Sequence, residues 1–179
     1  MIEVSAKLME EHQLILKFIG LSMSYVDNAN DALLLEKAPL FVNFIKEYAD
    51  GYHHAKEEDI LFTSLGEPGV LTHCNPIGQM LHEHDMGREL VAKMVKGYEA
   101  SDVAILKEGL QSYGLLLRDH IFKEDNILYP MAENSLDQDS KQKVNDQYQK
   151  VETDMGGLEL TKKYQDLYTE LEQAMAQEA

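Results

Sequence analysis

Apolar residues recur at steps of three and four along most of the chain, the spacing of helices that bury one face. In the first predicted helix, about residues 4–26, they include Leu8, Ile15, Ile19 and Met23. No segment has the strict alternation of apolar and polar positions that is typical of a half-buried strand. The pattern therefore predicts an all-α protein.

Turn residues and the same spacing predict further helices at about residues 39–65, 76–100, 102–130, 137–155 and 158–177. The second is predicted to begin at Pro39, because a proline in the first helical turn gives up no hydrogen bond. Pro130 is predicted to kink or end the fourth. We expect the first four helices to form a bundle of antiparallel neighbours, with the C-terminal helices at its periphery.

Composition narrows the class of protein. A length of 179 residues with 44% hydrophobic content fits a single globular domain over residues 1–179. The formal net charge of −16 argues against a nucleic-acid or anionic-membrane partner. No run is long enough for a membrane span, and the start lacks the features of a secretory signal. With Cys74 as the single cysteine, a reducing, cytoplasmic setting is expected.

The second and fourth predicted helices contain a repeat, HHAKEE from His53 and HIFKED from His120. Aligned without a gap, His53 falls on His120 and Glu57 falls on Glu124. Side chains four residues apart lie on the same face of a helix, one turn from each other. Each copy therefore presents one imidazole and one carboxylate together.

The first and third helices each add one histidine within the apolar stripe, His12 and His84, and each follows a glutamate. In a bundle, the inner faces of four helices converge on one axis. The sequence therefore predicts a metal site made of His12, His53, Glu57, His84, His120 and Glu124.

The donor set indicates the kind of metal. Imidazole and carboxylate without thiolate suit iron or manganese better than structural zinc. Two carboxylates are costly to bury unpaired, and bridging two metal ions would offset that cost. Six side chains cannot fill the roughly twelve positions of two six-coordinate ions, so small ligands are expected in the rest.

Two other interpretations carry less weight. A lone histidine on an apolar face is more often a core residue, but four of them in register with two glutamates favour a metal site. Ferritin-like di-iron proteins use Glu-x-x-His. The residues three before His53, His84 and His120 are Asp50, Leu81 and Leu117, so that motif is absent.

At these residues the chain resembles the hemerythrin-like (HHE cation-binding) family, bacterial branch. The resemblance rests on four segments: Glu11-His12; His53-x-x-x-Glu57-Glu58; Glu83-His84 with Gly87-Arg88; and His120-x-x-x-Glu124 followed by Ile127-Leu128-Tyr129-Pro130. It extends over about the whole chain and implies an up-down-up-down four-helix bundle around an oxo- or hydroxo-bridged, non-haem di-iron centre. The histidines would be terminal ligands and the glutamates bridges, with iron favoured over manganese or zinc.

One departure from the family pattern bears on function. Oxygen-carrying hemerythrins place two histidines four residues apart on the third helix, whereas Met80 and Arg88 flank His84 here. The chain is therefore expected to be one histidine short, which leaves one iron more open. That departure favours sensing, peroxide or nitric oxide chemistry, or iron handling over simple oxygen carriage.

Some assignments stay open at this point. His54 has the same spacing to Glu58 and could replace His53, although the gap-free alignment favours His53. Glu124 is preferred to Asp125, which lies five residues after His120 and off the shared face, although the oxygen-carrying hemerythrins do use an aspartate at that five-residue spacing.

Other nearby residues could contribute as well. His82 is expected to be exposed, and His73 and Cys74 to lie in a loop. Tyr48, Tyr52 and Tyr113 could donate to a bound oxygen species, but core packing is the more common use of a tyrosine.

Three functional hypotheses follow. The first is a di-iron protein that binds O2 or a related diatomic or peroxide-type ligand for sensing, storage or carriage. The second is a di-iron redox enzyme that consumes peroxide or nitric oxide, or that delivers iron to damaged iron centres. The third is a structural bundle stabilised by a metal.

Overall fold

The computed structural model describes residues 3–72 and 74–178, which contain helices and no strand. The all-α prediction is confirmed. Four of the helices are regular: α1 (Ala6–Asn28), α3 (Ile77–Glu99), α5 (Gln138–Asp154) and α6 (Gly157–Glu178). Helix α2 begins as Asp31–Phe44, continues through π-helical turns at Ile45–His54 and Glu57–Phe62, and ends with Thr63–Leu65. Helix α4 begins as Val103–Lys123 and continues through a π-helical turn at Glu124–Leu128 to Tyr129–Ser135.

Two apolar clusters fill the bundle, and their order along each helix gives the topology. The smaller cluster contains Leu8 near the start of α1 and Leu61 near the end of α2, and the larger contains Tyr25 and Phe41 at the opposite ends of those helices. Helices α3 and α4 alternate in the same way. The four long helices therefore run up, down, up and down, and the predicted metal-site residues lie between the two clusters.

Helix α2 begins at Asp31 and contains Pro39 in its interior, so the predicted start at Pro39 was wrong. The side chain of Asn30 caps it by accepting a hydrogen bond from the backbone N–H of Leu33 at 2.9 Å. An interior proline costs a helix about 3 kcal/mol or more. The preceding turn buries Leu34 and Ala38 completely, and this burial offsets the missing hydrogen bond.

Helix α4 continues past Pro130 to Ser135, with the π-helical turn directly before the proline. A π turn changes which residues share a face, and such turns are frequently found at functional sites. Here the turns in α2 and α4 contain His53, Glu57 and Glu124.

The C-terminal helices lie outside the four-helix bundle but are firmly attached to it. From α6, Tyr164 and Leu171 are buried in the larger cluster, and the Tyr25 hydroxyl donates to the Leu171 carbonyl at 2.7 Å. From α5, Tyr148 is buried in the smaller cluster. None of the helices in the described part of the chain has the length and apolar character that crossing a membrane requires.

Candidate metal centre

Four buried imidazoles meet in two pairs at the centre of the bundle. The Nε2 atoms of His12 and His53 are 3.0 Å apart, and those of His84 and His120 are also 3.0 Å apart. Each pair joins two neighbouring helices, α1 with α2 and α3 with α4. The sequence repeat therefore becomes a two-fold repeat in space.

Every one of these rings turns its other nitrogen to a carboxylate. The Nδ1 partners are Asp125 for His12 at 2.8 Å, Glu11 for His53 at 2.8 Å, Glu58 for His84 at 2.6 Å and Glu83 for His120 at 2.8 Å. A carboxylate accepts hydrogen bonds, so Nδ1 carries a proton in each ring, and a neutral ring then presents a lone pair at Nε2. Carboxylates behind the imidazoles in this way are typical of metal-binding histidines.

The Nε2 geometry fits a metal ion. Two lone pairs that face each other at 3.0 Å repel unless a proton or a metal ion lies between them. Two neighbouring ligands about 2.1 Å from an octahedral ion would be about 3.0 Å apart. The separation within each pair therefore equals the one that a shared ion would impose.

The carboxylates of Glu57 and Glu124 lie between the two imidazole pairs. Glu124 spans them, with Oε2 3.3 Å from His12 Nε2 and Oε1 3.0 Å from His120 Nε2. Oε2 of Glu57 is 3.5 Å from His53 Nε2 and 3.6 Å from His84 Nε2. Both Glu124 oxygens and Oε2 of Glu57 are buried without a hydrogen-bond partner. Such oxygens are costly in a protein interior, and metal ions would satisfy them.

The second oxygen of Glu57 is satisfied by a residue that the sequence analysis did not assign to the site. Tyr129 donates its hydroxyl to Glu57 Oε1 at 2.6 Å and stacks on His12. Phe62 is the corresponding residue in the other half, and it stacks on His84. Because Phe62 has no hydroxyl, both oxygens of Glu124 remain free to bind metal.

Two groups of side chains could each hold a metal ion. The first contains His12, His53, Glu57 and Glu124, and the second contains His54, Glu57, His84 and His120, with the ligand atoms of each group within 4.8 Å of one another. The six residues selected from the sequence all lie in these groups. Their role as ligands remains a prediction.

The open assignments now have positions. His54 does not take the place of His53, because it lies in the second group and His53 in the first. Asp125 contacts Nδ1 of His12 and so stands behind an imidazole, whereas Glu124 faces the centre. His82 is exposed, as expected.

Buried charge gives the two central carboxylates opposite protonation preferences. Burial raises the pKa of Glu57 well above its usual value, and the neighbouring charge of Glu124 raises it further. Burial also acts to raise the pKa of Glu124, but His120, His12 and His84 outweigh it and hold this pKa well below the usual value. Burial acts to lower the pKa of His12, yet its hydrogen bond to Asp125 and the nearby charges of Glu124 and Glu57 raise it to about 10. Without metal, Glu57 is thus the more readily protonated of the two carboxylates.

Each half also contains a lysine on the outer carboxylate. Lys56 donates to Glu11, and Lys123 donates to Glu83. Lys56 is completely buried and also donates to Glu152 of α5 at 2.9 Å. Burial raises the pKa of Glu11 to about 7 even though Lys56 acts to lower it. Helix α5 is therefore part of the polar network behind the first group.

A cavity of about 210 Å³ opens onto the second group, with His54, His84 and His120 in its wall. Its lining also includes Tyr113, Val91 and Leu117. The space enclosed by His12, His53 and Glu124 of the first group, together with His54 and His120, holds essentially no volume, about 0 Å³. The two groups therefore differ in access.

The remaining residues named from the sequence lie farther from the centre. Tyr52 donates to Glu152, and the Tyr48 hydroxyl is 3.5 Å from that of Thr161, so both serve packing and the outer network. Cys74 is exposed. His73 lies outside the described residues.

Comparison with known proteins agrees with the geometry. The family described as "Hemerythrin HHE cation binding domain" matches residues 4–132. The chain belongs to this family. The match ends before α5 and α6, so the expectation that the resemblance extends to the last helix stays a prediction. Membership implies a metal-binding site, and the hemerythrin-like bundle expected from the sequence is confirmed.

Two curated relatives of this hemerythrin-like protein are each 35% identical to it over 88 residues. Both are named iron-sulfur cluster repair protein YtfE, one from Pectobacterium atrosepticum and one from Pectobacterium carotovorum subsp. carotovorum. The aligned stretch covers 45% of this chain and 40% of each relative, so well over half of each relative has no counterpart in the match. No solved structure gives a significant match.

Several residues of the outer layer escaped the sequence analysis. Glu11 and Glu83 were used only as part of the resemblance, and Glu58, Asp125 and Tyr129 received no supporting role. The signal was present in the repeat, since a second acid follows Glu57 and Glu124 in both copies. The spacing could not show which imidazole each acid reaches.

Proposed function

We propose that this protein is a non-haem di-iron protein that binds O2 or a related small ligand at a carboxylate-bridged site, for sensing, storage or carriage. The observation that carries the proposal is the difference in access, because the second group faces a cavity and the first is enclosed. A ligand from solvent would meet the second iron.

In this proposal His12 and His53 bind the first iron, and His84 and His120 bind the second. Glu57 and Glu124 bridge the two ions, which is supported by their unsatisfied oxygens. The all-nitrogen and oxygen donor set favours iron over structural zinc. When bound, the iron pair would supply redox-active Lewis-acid chemistry.

The protein's own residues would control what reaches the irons. Ligand pockets for organic molecules have volumes of about 300–1,000 Å³, and this cavity is smaller, at about 210 Å³. Apolar side chains such as Val91 and Leu117 share its wall with charged ones such as Asp50 and Arg88, so the small size of the cavity is the property that favours a small ligand. Tyr129 and Phe62 shield the opposite side of the centre.

Iron content and spectra test the proposal. The protein reconstituted with iron under anaerobic conditions is expected to hold two irons per chain and, after oxidation, to give charge-transfer bands that shift with azide. Glu57→Ala and Glu124→Ala are expected to lose the two-iron state. Glu10→Ala removes an exposed glutamate from α1 and should have no effect. Full two-iron occupancy in both bridge variants would overturn the bridge assignment, and a spectrum that azide does not change would overturn ligand binding.

The relatives favour a second candidate, a di-iron redox or repair function. Two proteins named for iron-sulfur cluster repair match this chain, each over 40% of its length. In that case the chain would consume peroxide or nitric oxide, or deliver iron to damaged iron centres. Turnover of peroxide and nitric oxide, and iron transfer to an apo cluster protein, would separate this candidate from simple binding. Rates no greater than those of free iron would rule it out.

A further inference from the structure

The C-terminal helices reach the polar network behind the metal centre in one half only. Glu152 of α5 accepts hydrogen bonds from Lys56, at 2.9 Å, and from the hydroxyl of Tyr52. In the repeat, Tyr52 corresponds to Asp119 and Lys56 to Lys123. Asp119 is exposed, and the side chain of Lys123 is 33% exposed. Among the described residues, no acid of α5 or α6 pairs with Lys123 as Glu152 pairs with Lys56.

Lys56 connects Glu152 to an imidazole of the first group. It is completely buried, and a buried cation is costly unless carboxylates surround it. Its Nζ contacts Glu11 and Glu152 and lies 3.6 Å from the centre of the Tyr52 ring. Glu11 in turn accepts the Nδ1 hydrogen bond of His53 at 2.8 Å. A continuous chain of contacts therefore runs from α5 to His53.

Glu152 sets how strongly Lys56 draws on Glu11. With a single carboxylate beside it, the buried cation would attract that carboxylate fully, because little water is present to screen the charges. A second carboxylate shares the cation, so Glu11 keeps more negative charge for the Nδ1 proton of His53. The other cation near Glu152 is Lys7, which is 3.7 Å away and 36% exposed, so its effect is weaker. A better acceptor behind an imidazole makes the opposite ring nitrogen a stronger metal ligand.

The equivalent cation of the second half needs no such partner. Because Lys123 is partly exposed, solvent screens its charge beside Glu83. Lys56 is completely buried, so only a protein group can reduce its effect in the same way. Gly157, at the start of α6, packs closely enough to hold that group in place, since a Cβ there would lie 3.0 Å from Oε2 of Glu152.

We propose that Glu152 is a positioning residue for the first metal ion, acting through Lys56 and Glu11 on His53. The family match ends at residue 132, so this contribution comes from a helix outside the matched residues. Loss of the Glu152 charge should weaken binding of the first ion and leave the second ion unchanged. This inference rests on the proposed function, because it requires two bound ions.

Cobalt(II) binding distinguishes the two ions. An imidazole that binds metal through Nε2 and donates from Nδ1 to a carboxylate keeps its Nδ1 proton, and cobalt(II) strongly shifts the NMR signal of that proton. Signals from His12 and His53 follow the first ion, and signals from His84 and His120 follow the second. Single histidine variants assign the signals. Competition with a chelator then gives the affinity for each ion separately.

Glu152→Gln is the main variant, because it keeps the shape of the side chain and an oxygen for Lys56 but removes the charge. The affinity for the first ion is expected to fall about threefold to tenfold, less than the roughly 10–100-fold loss typical of residues directly behind a ligand. The second ion should bind as in the wild type. Glu152→Asp keeps the charge and should restore most of the affinity.

Glu47→Gln is the matched control. Glu47 of α2 accepts hydrogen bonds from Lys163 and Tyr164 of α6 at 2.5 and 2.7 Å, so this change also weakens the attachment of a C-terminal helix. Within the described residues, Glu47 has no contact with the carboxylates behind the imidazoles. Both ions should therefore bind as in the wild type. An equal loss in Glu47→Gln and Glu152→Gln would overturn the inference, because Glu152 would then act only by holding a helix in place.

Tyr52→Phe gives an independent test with the opposite sign. The change removes the other donor to Glu152 and keeps the ring beside Lys56, so Glu152 has more negative charge for Lys56. The first ion should bind at least as tightly as in the wild type, and weaker binding would contradict the inference. This variant serves if Glu152→Gln does not fold.

The outcomes separate the two proposals. A wild-type chain that takes up fewer than two irons contradicts the proposed function itself. A chain that takes up two ions, but binds the first one equally well after Glu152→Gln or loses affinity equally for both, contradicts only the role given to Glu152.

Discussion

Tyr129 is the single hydroxyl group in contact with the central carboxylates among the described residues. It donates to Glu57 at 2.6 Å and lies 3.3 Å from Nε2 of His12. The corresponding Phe62 leaves Glu124 without a donor. One residue difference between the halves thus decides how many carboxylate oxygens are available to metal.

Tyr129→Phe tests this hydrogen bond in the metal-free protein. The change leaves Oε1 of Glu57 buried without a donor, so the free energy of unfolding is expected to fall by about 1–3 kcal/mol. The matched control is Tyr148→Phe, because the Tyr148 hydroxyl is buried without a partner. Its removal leaves no group without a partner, so the free energy of unfolding should stay the same or rise. Urea unfolding measures both, and equal values for the two variants would contradict the assignment.

At the scale of the elements, close approach of α3 and α4 and the anchoring of α1 hold the centre together. Gly97 of α3 faces the backbone of α4, where an added Cβ would lie 2.6 Å from the backbone nitrogen of Leu106. Val4 and Ser5, at the start of α1, donate their backbone N–H groups to Glu133 of α4 at 2.8 and 2.9 Å. These contacts fix the positions of the helices that carry His12, His84 and His120.

Gly97→Ala is expected to destabilise the fold by about 1–3 kcal/mol, because neither backbone can yield to the new methyl group. Gly20→Ala is the matched control, since nothing lies within 4 Å of a Cβ at that helical position. It should stabilise the protein by up to about 1 kcal/mol through helix propensity. Opposite signs in thermal or urea unfolding support the close approach, and a neutral Gly97→Ala would argue against it.

The acid side of the stability profile tests the Glu133 anchor. Burial acts to raise the pKa of Glu133, but Lys141 and Ser5, together with the backbone N–H groups, lower it below the usual 4.5. A lowered folded-state pKa favours the charged form, so its contribution is present above about pH 4.5 and is lost as the pH falls through the folded value.

Glu133→Gln should therefore destabilise the protein most at neutral pH, by about 1.5–3 kcal/mol. The difference from wild type should shrink as the pH falls below about 4.5. Urea unfolding at several pH values measures it. A difference that stays constant with pH would show that the charge of Glu133 has no part in the anchor.

For the whole molecule, the polar centre is a weak point of the fold unless metal is bound. Oxygens of Glu57 and Glu124 lie between two apolar clusters without partners. Metal binding would add its free energy to folding, because the ligands converge only in the native state. The third hypothesis, a bundle stabilised by metal, also predicts that bound metal stabilises the fold. It differs in that a metal other than iron, such as zinc, would stabilise the fold equally well.

Removal of metal with a chelator is expected to lower the melting temperature, and iron should restore it. The gain would be about 4 kcal/mol at a free metal concentration a thousand times the dissociation constant. Glu57→Ala should melt at nearly the same temperature with and without metal. Full restoration by zinc, with no response of the iron protein to azide, would favour the purely structural function.

The helices and the inner-face residues could be predicted because both depend on local spacing. Residues four apart share a face whatever surrounds the helix, so the pairing of His53 with Glu57 and of His120 with Glu124 followed directly. Pro39 shows the limit of prediction from local spacing. The proline indicated the start of a helix, but the burial of Leu34 and Ala38 stabilises the helical turns before it.

Local spacing was sufficient to predict that this protein is helical and that imidazoles and carboxylates repeat on its inner faces. The contact of Asp125 with His12, the hydrogen bond from Tyr129 to Glu57 and the place of His54 in the second group depend on how the helices pack. The physical reason is that π-helical turns shift the faces of α2 and α4, and that packing sets the height and rotation of each helix relative to its neighbours. Neither quantity is encoded in the spacing along a single helix.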